Sequence, residues 1–378
     1  ADNALPTYEW VRDVIGVKFD RLAFHGGHSV PRSAAYQKGN GAQLVKPLVE
    51  KAKSLGVKIQ NRTRLVDIIV ENGRVAGAVI TEGYKFPDEK SGKNVRVRVK
   101  KGLVLAGGGF SQNVALRKLH DPRLGPQLES TNQPGATAGV LIKAMGIGAL
   151  PIQLCWLQFL PYCNPREKGF GVSVNFTNHA CMDLGLVVDR KTGKRFMDEH
   201  AGRKIKSDAL FQVIGTDENY PIAVCDQAIV DAINPSFVKL PLEMGTVKKF
   251  NTLEELADHF KINKAPFLEE VKKFNGYVAA GEDKDFHRIL KFNNGLNVSK
   301  APFYGIEVSP KIHHTMGGVL INTKAQVISA TTGQPIKGLY AGGEITGGVH
   351  GASRLGTVAV IDALTFGMIA GEEFAKMA

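Results

Sequence analysis

The sequence predicts an α/β protein whose sheet domain is interrupted by an inserted α+β domain. Three observations predict it. Two apolar, strand-like runs end in glycines, LVLAGGGF (103–110) and GLYAGGE (338–344). Residues 156–312 change texture to short strands, Pro-containing turns and amphipathic helices. From about residue 313 the strand–glycine–helix texture returns. Alternation of strands with helical periods is the signature of α/β layering, and such sheets place ligands outside the carboxyl ends of their strands.

In chain order, apolar spacing predicts helices over 8–16 and 41–55, the second stopped by Gly56. Strands are expected at VKIQ (57–60) and across RLVDIIVENGRVAGAVI (64–80), where Asn72 and Gly73 supply a hairpin turn. VRVRVKKGLVLAGGGF (95–110) reads as a strand pair ending in a buried run. TLEELADHF and PFLEEVKKFNGYVAAG read as helices, with Thr252 as N-cap. The last helix, over 357–377, is apolar around much of its surface and is expected to be buried. The expected division is 1–155, 156–312 and 313–378, the first and third parts forming one domain.

The chain has 378 residues, 43% apolar and 22% charged, ample for a packed core. No run of about eighteen apolar residues predicts a membrane span. The start, ADNALPTYEWVRDVIG, lacks the basic and apolar regions of a signal peptide. The net charge of +12 fits a solvated basic surface or steering of an anionic substrate. The lysines are scattered without an aromatic-interleaved stripe, which argues against nucleic acid. Cys155, Cys163, Cys181 and Cys225 form no CxxC motif and are expected as buried free thiols. No metal site is expected. No GxGxxG element follows a strand in this stretch; GGGF at 107–110 has the wrong spacing.

HHTMGGV, GLYAGGEITGGVHGASRLG, LAGGGF, TNQPGATAG and DRKTGKRFMDEHAGRK occur together. In combination they resemble the FAD-dependent fumarate reductase and succinate dehydrogenase flavoprotein family. The resemblance is nearest to its soluble flavocytochrome-type branch of fumarate, urocanate, acrylate and cinnamate-type reductases. It implies a Rossmann-like FAD-binding domain, here without the family's first βαβ unit, and an inserted substrate-capping domain. The FAD contacts it implies are Gly26, Gly27, Val66, Ala106, Gly107, Gly108, Glu344, Leu355, Thr357 and Val358. It implies reduction of the C=C bond of an α,β-unsaturated carboxylate, with electrons from a haem or flavin domain or protein not encoded in this stretch. Location is open between periplasm and cytoplasm.

Such a reduction builds enolate-like charge on the substrate carboxylate, so fixed cations there stabilise the transition state. Arg354 suits this as a bidentate, permanently charged group, with His314 as second donor. The resemblance implies that these two hold the carboxylate and that Arg203, four residues after Glu199, donates the proton. The chain departs from fumarate enzymes at Asn178, His179 and Met182, where they carry Thr-Glu and an arginine. This disfavours fumarate and suits an uncharged or aromatic distal group. His179 has two readings, a proton relay or a substrate ligand. Gln158 and Tyr162 are further candidates for the pocket, and Asp183 is the nearby acid that an imidazolium such as urocanate's would need. The competing readings are a fumarate reductase proper, a flavin dehydrogenase of the ketosteroid or succinate type, and a truncated flavoprotein fragment that does not turn over.

Overall fold

A computed structural model describes residues 1–23, 27–35 and 40–377. The chain divides into two compact units. The first comprises Ala1–Gly125, Pro134–Leu157 and His314–Ala378; the second comprises Pro126–Gln133 and Gln158–His313.

The first unit is built on a six-stranded sheet. Gln326–Ile328, Pro335–Ala341, Arg74–Glu82 and Thr63–Glu71 lie in that order, with Lys93–Arg98 on Arg74–Glu82 and Leu103–Leu105 on Pro335–Ala341. Asn72 and Gly73 both take positive φ, 52° and 71°, at the hairpin between Thr63–Glu71 and Arg74–Glu82. That is the turn whose twist matches two antiparallel strands. The core beneath includes Ile68, Val75, Leu105, Phe110, Leu141, Val319 and Leu339, all buried.

One pairing decides where the ligand edge lies. Leu103–Leu105 runs parallel to Pro335–Ala341, with Leu105 opposite Ala341. The two strands end level, and Gly342 N–H donates to Leu105 O at 3.2 Å. Both glycine runs therefore leave the sheet side by side at its carboxyl edge.

Four expectations are corrected. Lys93–Arg98 and Leu103–Leu105 do not pair with each other; each finds another partner. Residues 57–60 are exposed and form no strand, pairing with no strand among the described residues. The final helix, Val358–Ala375, fully buries only Asp362 and Ala370, and Val360 stands half exposed. It packs on the strand Pro335–Ala341 and on the helix Ala4–Asp13, which leaves other positions partly open. Cys155 is exposed, whereas Cys163, Cys181 and Cys225 are buried free thiols as expected.

The second unit holds a four-stranded antiparallel sheet, Lys248–Phe250, Phe303–Glu307, Ile222–Asp226 and Leu186–Val188 in order. Helices Leu253–Phe260 and Lys264–Ala280 pack with it through Leu256, Phe267 and Phe274, each without solvent exposure. Thr252 caps the first of these helices, accepting from Glu255 N at 3.1 Å. Gly56 takes positive φ, 81°, just past the helix Ala42–Ser54, as a chain-reversing stop requires.

Candidate active site

In the first unit, Ala106 and Gly107 lie exposed where Leu103–Leu105 ends, and Gly108 has φ +74° with open space where a Cβ would stand. Gly109 is the opposite case. A Cβ there would lie 2.2 Å from Thr315 Oγ1 and 2.4 Å from Glu344 Oε1. At Gly107 the Val140 side chain fills that space, so the open backbone that admits close approach of a ligand is at Gly108. Val66 sits in a bulge of the strand Thr63–Glu71, skipped between the pairs Leu65–Ile80 and Asp67–Val79. Gly27 is exposed with φ +86°; Gly26 lies outside the described residues.

Glu344 follows the glycine pair 342–343. Its Oε1 accepts from Thr315 N at 2.9 Å and from Thr315 Oγ1 at 3.2 Å, and its Oε2 lies 3.5 Å from His314 Nδ1. Burial pulls the Glu344 carboxyl up, but His314 and the Thr315 donors outweigh it and hold it below the ordinary glutamate range. His314 is 5% exposed. Burial lowers its pKa, against the pull of Glu344. Its Nε2 is buried with no hydrogen-bond partner among the described residues.

Arg354 is 6% exposed, and its Nη1 donates to Leu355 O at 3.1 Å. A buried guanidinium in a glycine-rich loop is costly unless an anion meets it. Leu355 and Thr357 are exposed and Val358 half-buried at the start of the final helix. Thr357 takes φ 67° and shares a 2.7 Å hydroxyl contact with Ser33, while His28 Nε2–H donates to Gly356 O at 2.9 Å. Among these residues the structure brings together His314, Glu344 and the Arg354 loop.

In the second unit, Arg203 opens the helix Arg203–Ile214, and its Nη1 donates to Gln158 Oε1 at 3.3 Å. Tyr162 is buried, and its hydroxyl accepts from the buried Lys206 Nζ at 3.0 Å. Asn178, His179 and Met182 share one short π-helix, Thr177–Met182, with i→i+5 bonds from Asp183 N to Asn178 O and from Gly185 N to Ala180 O. Single π turns of this kind recur at functional sites. Met182 is fully buried. His179 Nδ1 lies 3.1 Å from Asp183 Oδ2, and the ring stacks on Phe237 at 5.2 Å. His313 contacts Thr131 Oγ1 through Nδ1 at 2.7 Å.

A buried charge network sits beside these elements and was not read from the sequence beyond Glu199. Glu199 accepts from Arg195 through both oxygens at 2.9 and 2.6 Å and lies 3.3 Å from Arg288 Nη1. Asp283 adds a second contact to Arg195 at 2.9 Å. All four side chains have no exposure. Burial raises the Glu199 carboxyl, but Arg195 and Arg288 outweigh it and hold it below the ordinary range. Arg288 also donates to Gly185 O at 2.6 Å and Asp183 O at 2.8 Å, and Lys206 donates to Glu199 O at 3.0 Å. The network thus ties the exit of the π-helix to the start of the Arg203 helix. The Arg195–Glu199 spacing of four was its one sequence signal. A separate cavity of 790 Å³ in this unit, among Arg166, Arg190, Lys248, Lys261 and Glu307, contains none of the expected site residues.

The FAD binding domain family matches residues 1–360. The chain belongs to this family. It is 36% identical over 371 residues to the acrylate reductase flavoprotein subunit of Shewanella woodyi, covering 98% of this chain and 73% of that protein. It is 29% identical over 390 residues to the urocanate reductase of Eggerthella lenta, covering all of this chain and 61% of that protein. Its fold matches the open conformation of a flavocytochrome c3 fumarate reductase with TM-score 0.74 and 30% identity, over all of this chain and 63% of that one. It therefore spans about three-fifths to three-quarters of these proteins. The resemblance read in the sequence, the fold class and FAD as cofactor are borne out. The exposed backbone of Ala106 and Gly107 and the open space at Gly108, at the sheet edge, fit a dinucleotide, and the buried Nε2 of His314 and the Arg354 guanidinium fit an anion. Among the described residues no helix is long and apolar enough to cross a membrane, and no His/Cys/Asp/Glu cluster suits a metal.

Proposed function

We propose that this chain is the flavin-bearing part of a reductase that saturates the C=C bond of an α,β-unsaturated monocarboxylate with an uncharged distal group. The observation that carries the reading is that His314, whose Nε2 has no hydrogen-bond partner among the described residues, is buried within electrostatic reach of the buried Arg354. Two donors of fixed position stabilise charge that develops on a carboxylate during reduction more than charge already there. FAD, when bound, supplies the hydride. Ala106, Gly107, Gly108, Gly27, Val66, Thr357 and Val358 would hold it at the sheet edge.

Arg354 and His314 grip and orient the carboxylate. Arg203 gives a proton to the α carbon, with Gln158 steadying its guanidinium at 3.3 Å. An arginine serves as acid only toward a strongly basic carbanion and only if it is reprotonated at once. His179, held by Asp183 and stacked on Phe237, is the relay group on this reading. That pairing also supports a small uncharged substrate over urocanate, because the Asp183 carboxylate is engaged by His179 at 3.1 Å. The likeness to an acrylate reductase subunit supports the same choice. Electrons come from a partner domain or protein bearing haem or flavin.

The test is anaerobic oxidation of reduced viologen by FAD-replete protein with acrylate, cinnamate, urocanate and fumarate. Acrylate or cinnamate is expected to be reduced with kcat/KM at least tenfold above fumarate. Reduction of fumarate alone would refute the distal-group assignment, and no reduction of any would refute the reductase reading.

A further inference from the structure

Asp362 and His350 have no part in the site as described so far, yet both are buried in the first unit. Asp362 is 8% exposed on an otherwise apolar helix, Val358–Ala375. His350 Nε2 lies 3.5 Å from Asp362 Oδ2, and their side chains are 6% and 5% exposed. The His350 ring meets His314 edge-to-face, centroids 5.4 Å apart at 73°. On the far side of His314 stands Glu344, again at 3.5 Å. The order is carboxylate, imidazole, imidazole, carboxylate.

Both 3.5 Å gaps exceed the about 2.7–2.9 Å of a charge-assisted hydrogen bond. The file is loose as it stands, with His314 Nε2, His350 Nε2 and Asp362 Oδ1 buried and without formed hydrogen bonds among the described residues. Among the described residues of this unit, Glu344, Asp362 and Arg354 are charged groups that face the two rings. Two carboxylates and one guanidinium thus stand around the two rings. An entering substrate carboxylate would add a further negative charge in a poorly hydrated place, which is unfavourable unless a cation forms there.

We propose that the substrate carboxylate is taken up together with a proton, held by the His314–His350 pair and balanced by Glu344 and Asp362. Asp362 and His350 are positioning residues: they act through His314 and need not touch the substrate. The inference rests on the reading of Arg354 and His314 as the carboxylate clamp. Burial, which leaves His314 less basic than an ordinary histidine, is consistent with a ring that is neutral before ligand arrives. An opposite charge within about 4–6 Å favours the charged form of a histidine, so a bound carboxylate draws the ring toward protonation. Protonation linked to binding makes affinity fall as pH rises, by up to about tenfold per unit between the free and bound values.

The experiment measures proton uptake when propionate is added to FAD-loaded protein in weakly buffered solution at pH 7, followed with an indicator dye. Uptake on the order of one proton per bound propionate is expected. Asp362→Asn is expected to lower uptake at least twofold and to flatten the pH dependence of affinity, with the flavin band retained. His350→Gln is the second variant if the first does not hold flavin. Binding by the wild type without proton uptake overturns the inference, as does undiminished uptake in a flavin-retaining variant. Failure of the wild type to bind propionate, acrylate or cinnamate at all overturns the clamp reading, and this inference with it.

Discussion

Replacing Glu199 by Gln keeps the shape of a fully buried side chain and removes its charge. In the wild type, Oε1 accepts from Arg195 Nε at 2.9 Å and Val187 N at 3.2 Å, and Oε2 accepts from Arg195 Nη2 at 2.6 Å and Arg288 Nη1 at 3.3 Å. An amide keeps one acceptor oxygen, so its NH2 group faces two of these donors. Hydrogen bonds to charged groups contribute about 1.5–3 kcal/mol each, and breaking one partner of a buried ion pair costs about 3–5 kcal/mol. The expected loss for Glu199→Gln is therefore about 3–5 kcal/mol. With a urea slope of about 2–3 kcal/mol/M, the unfolding midpoint falls by about 1.5 M.

The pH dependence of that loss has a definite sign. Glu199 is held ionised below its ordinary range, so its contribution is full above that range and fades as pH falls through the lowered value. The gap between wild type and variant should stay constant from pH 8 to 6 and narrow below about pH 4. A midpoint shift worth under about 1 kcal/mol at pH 7 would refute the account. It would mean that the four-residue network is solvated or replaceable.

Two further outcomes follow from the site. Arg203→Ala should lower kcat by about 10²–10⁴-fold, the scale of general-acid catalysis, while the flavin absorbance band is retained; loss of flavin instead would show that Arg203 serves the cofactor. Gly109→Ala forces a Cβ to within 2.4 Å of Glu344 Oε1. It should lower flavin occupancy and cost about 1–3 kcal/mol of stability through overpacking, both readable in one thermal scan followed by flavin fluorescence.

What was legible in the sequence was local. Asn72 and Gly73 specify their turn, Thr252 its cap and Gly56 its stop because each acts on backbone within a few residues. The two glycine runs were legible as a ligand edge because composition alone marks them. Their side-by-side exit was not, since Leu105 meets Ala341 more than two hundred positions away and no local period encodes that register. VKIQ has the alternation of a strand, but pairing depends on a neighbouring strand and none pairs with it among the described residues. Arg288 reaches Glu199 and Asp283 reaches Arg195 from distant points of the second unit's chain, so their roles could be seen only once that unit was folded. The chain positions of Asn178, His179 and Met182 stood out against fumarate enzymes, yet the i→i+5 bonds that present them leave no trace in hydrophobic spacing.

The π turn at Thr177–Met182 carries one residue more than an α turn would over the same rise. Each residue of an α-helix advances the side-chain direction by about 100°. Deleting a single codon there would close the turn to ordinary pitch and swing Asn178, His179 and Met182 against Asp183 and all that follows. On the proposed reading of those three residues, substrate preference would be open to change by shortening or lengthening the chain at one point, with no substitution at all. The carbonyls of Asp183 and Gly185, pinned by Arg288, mark where such a change would stop propagating.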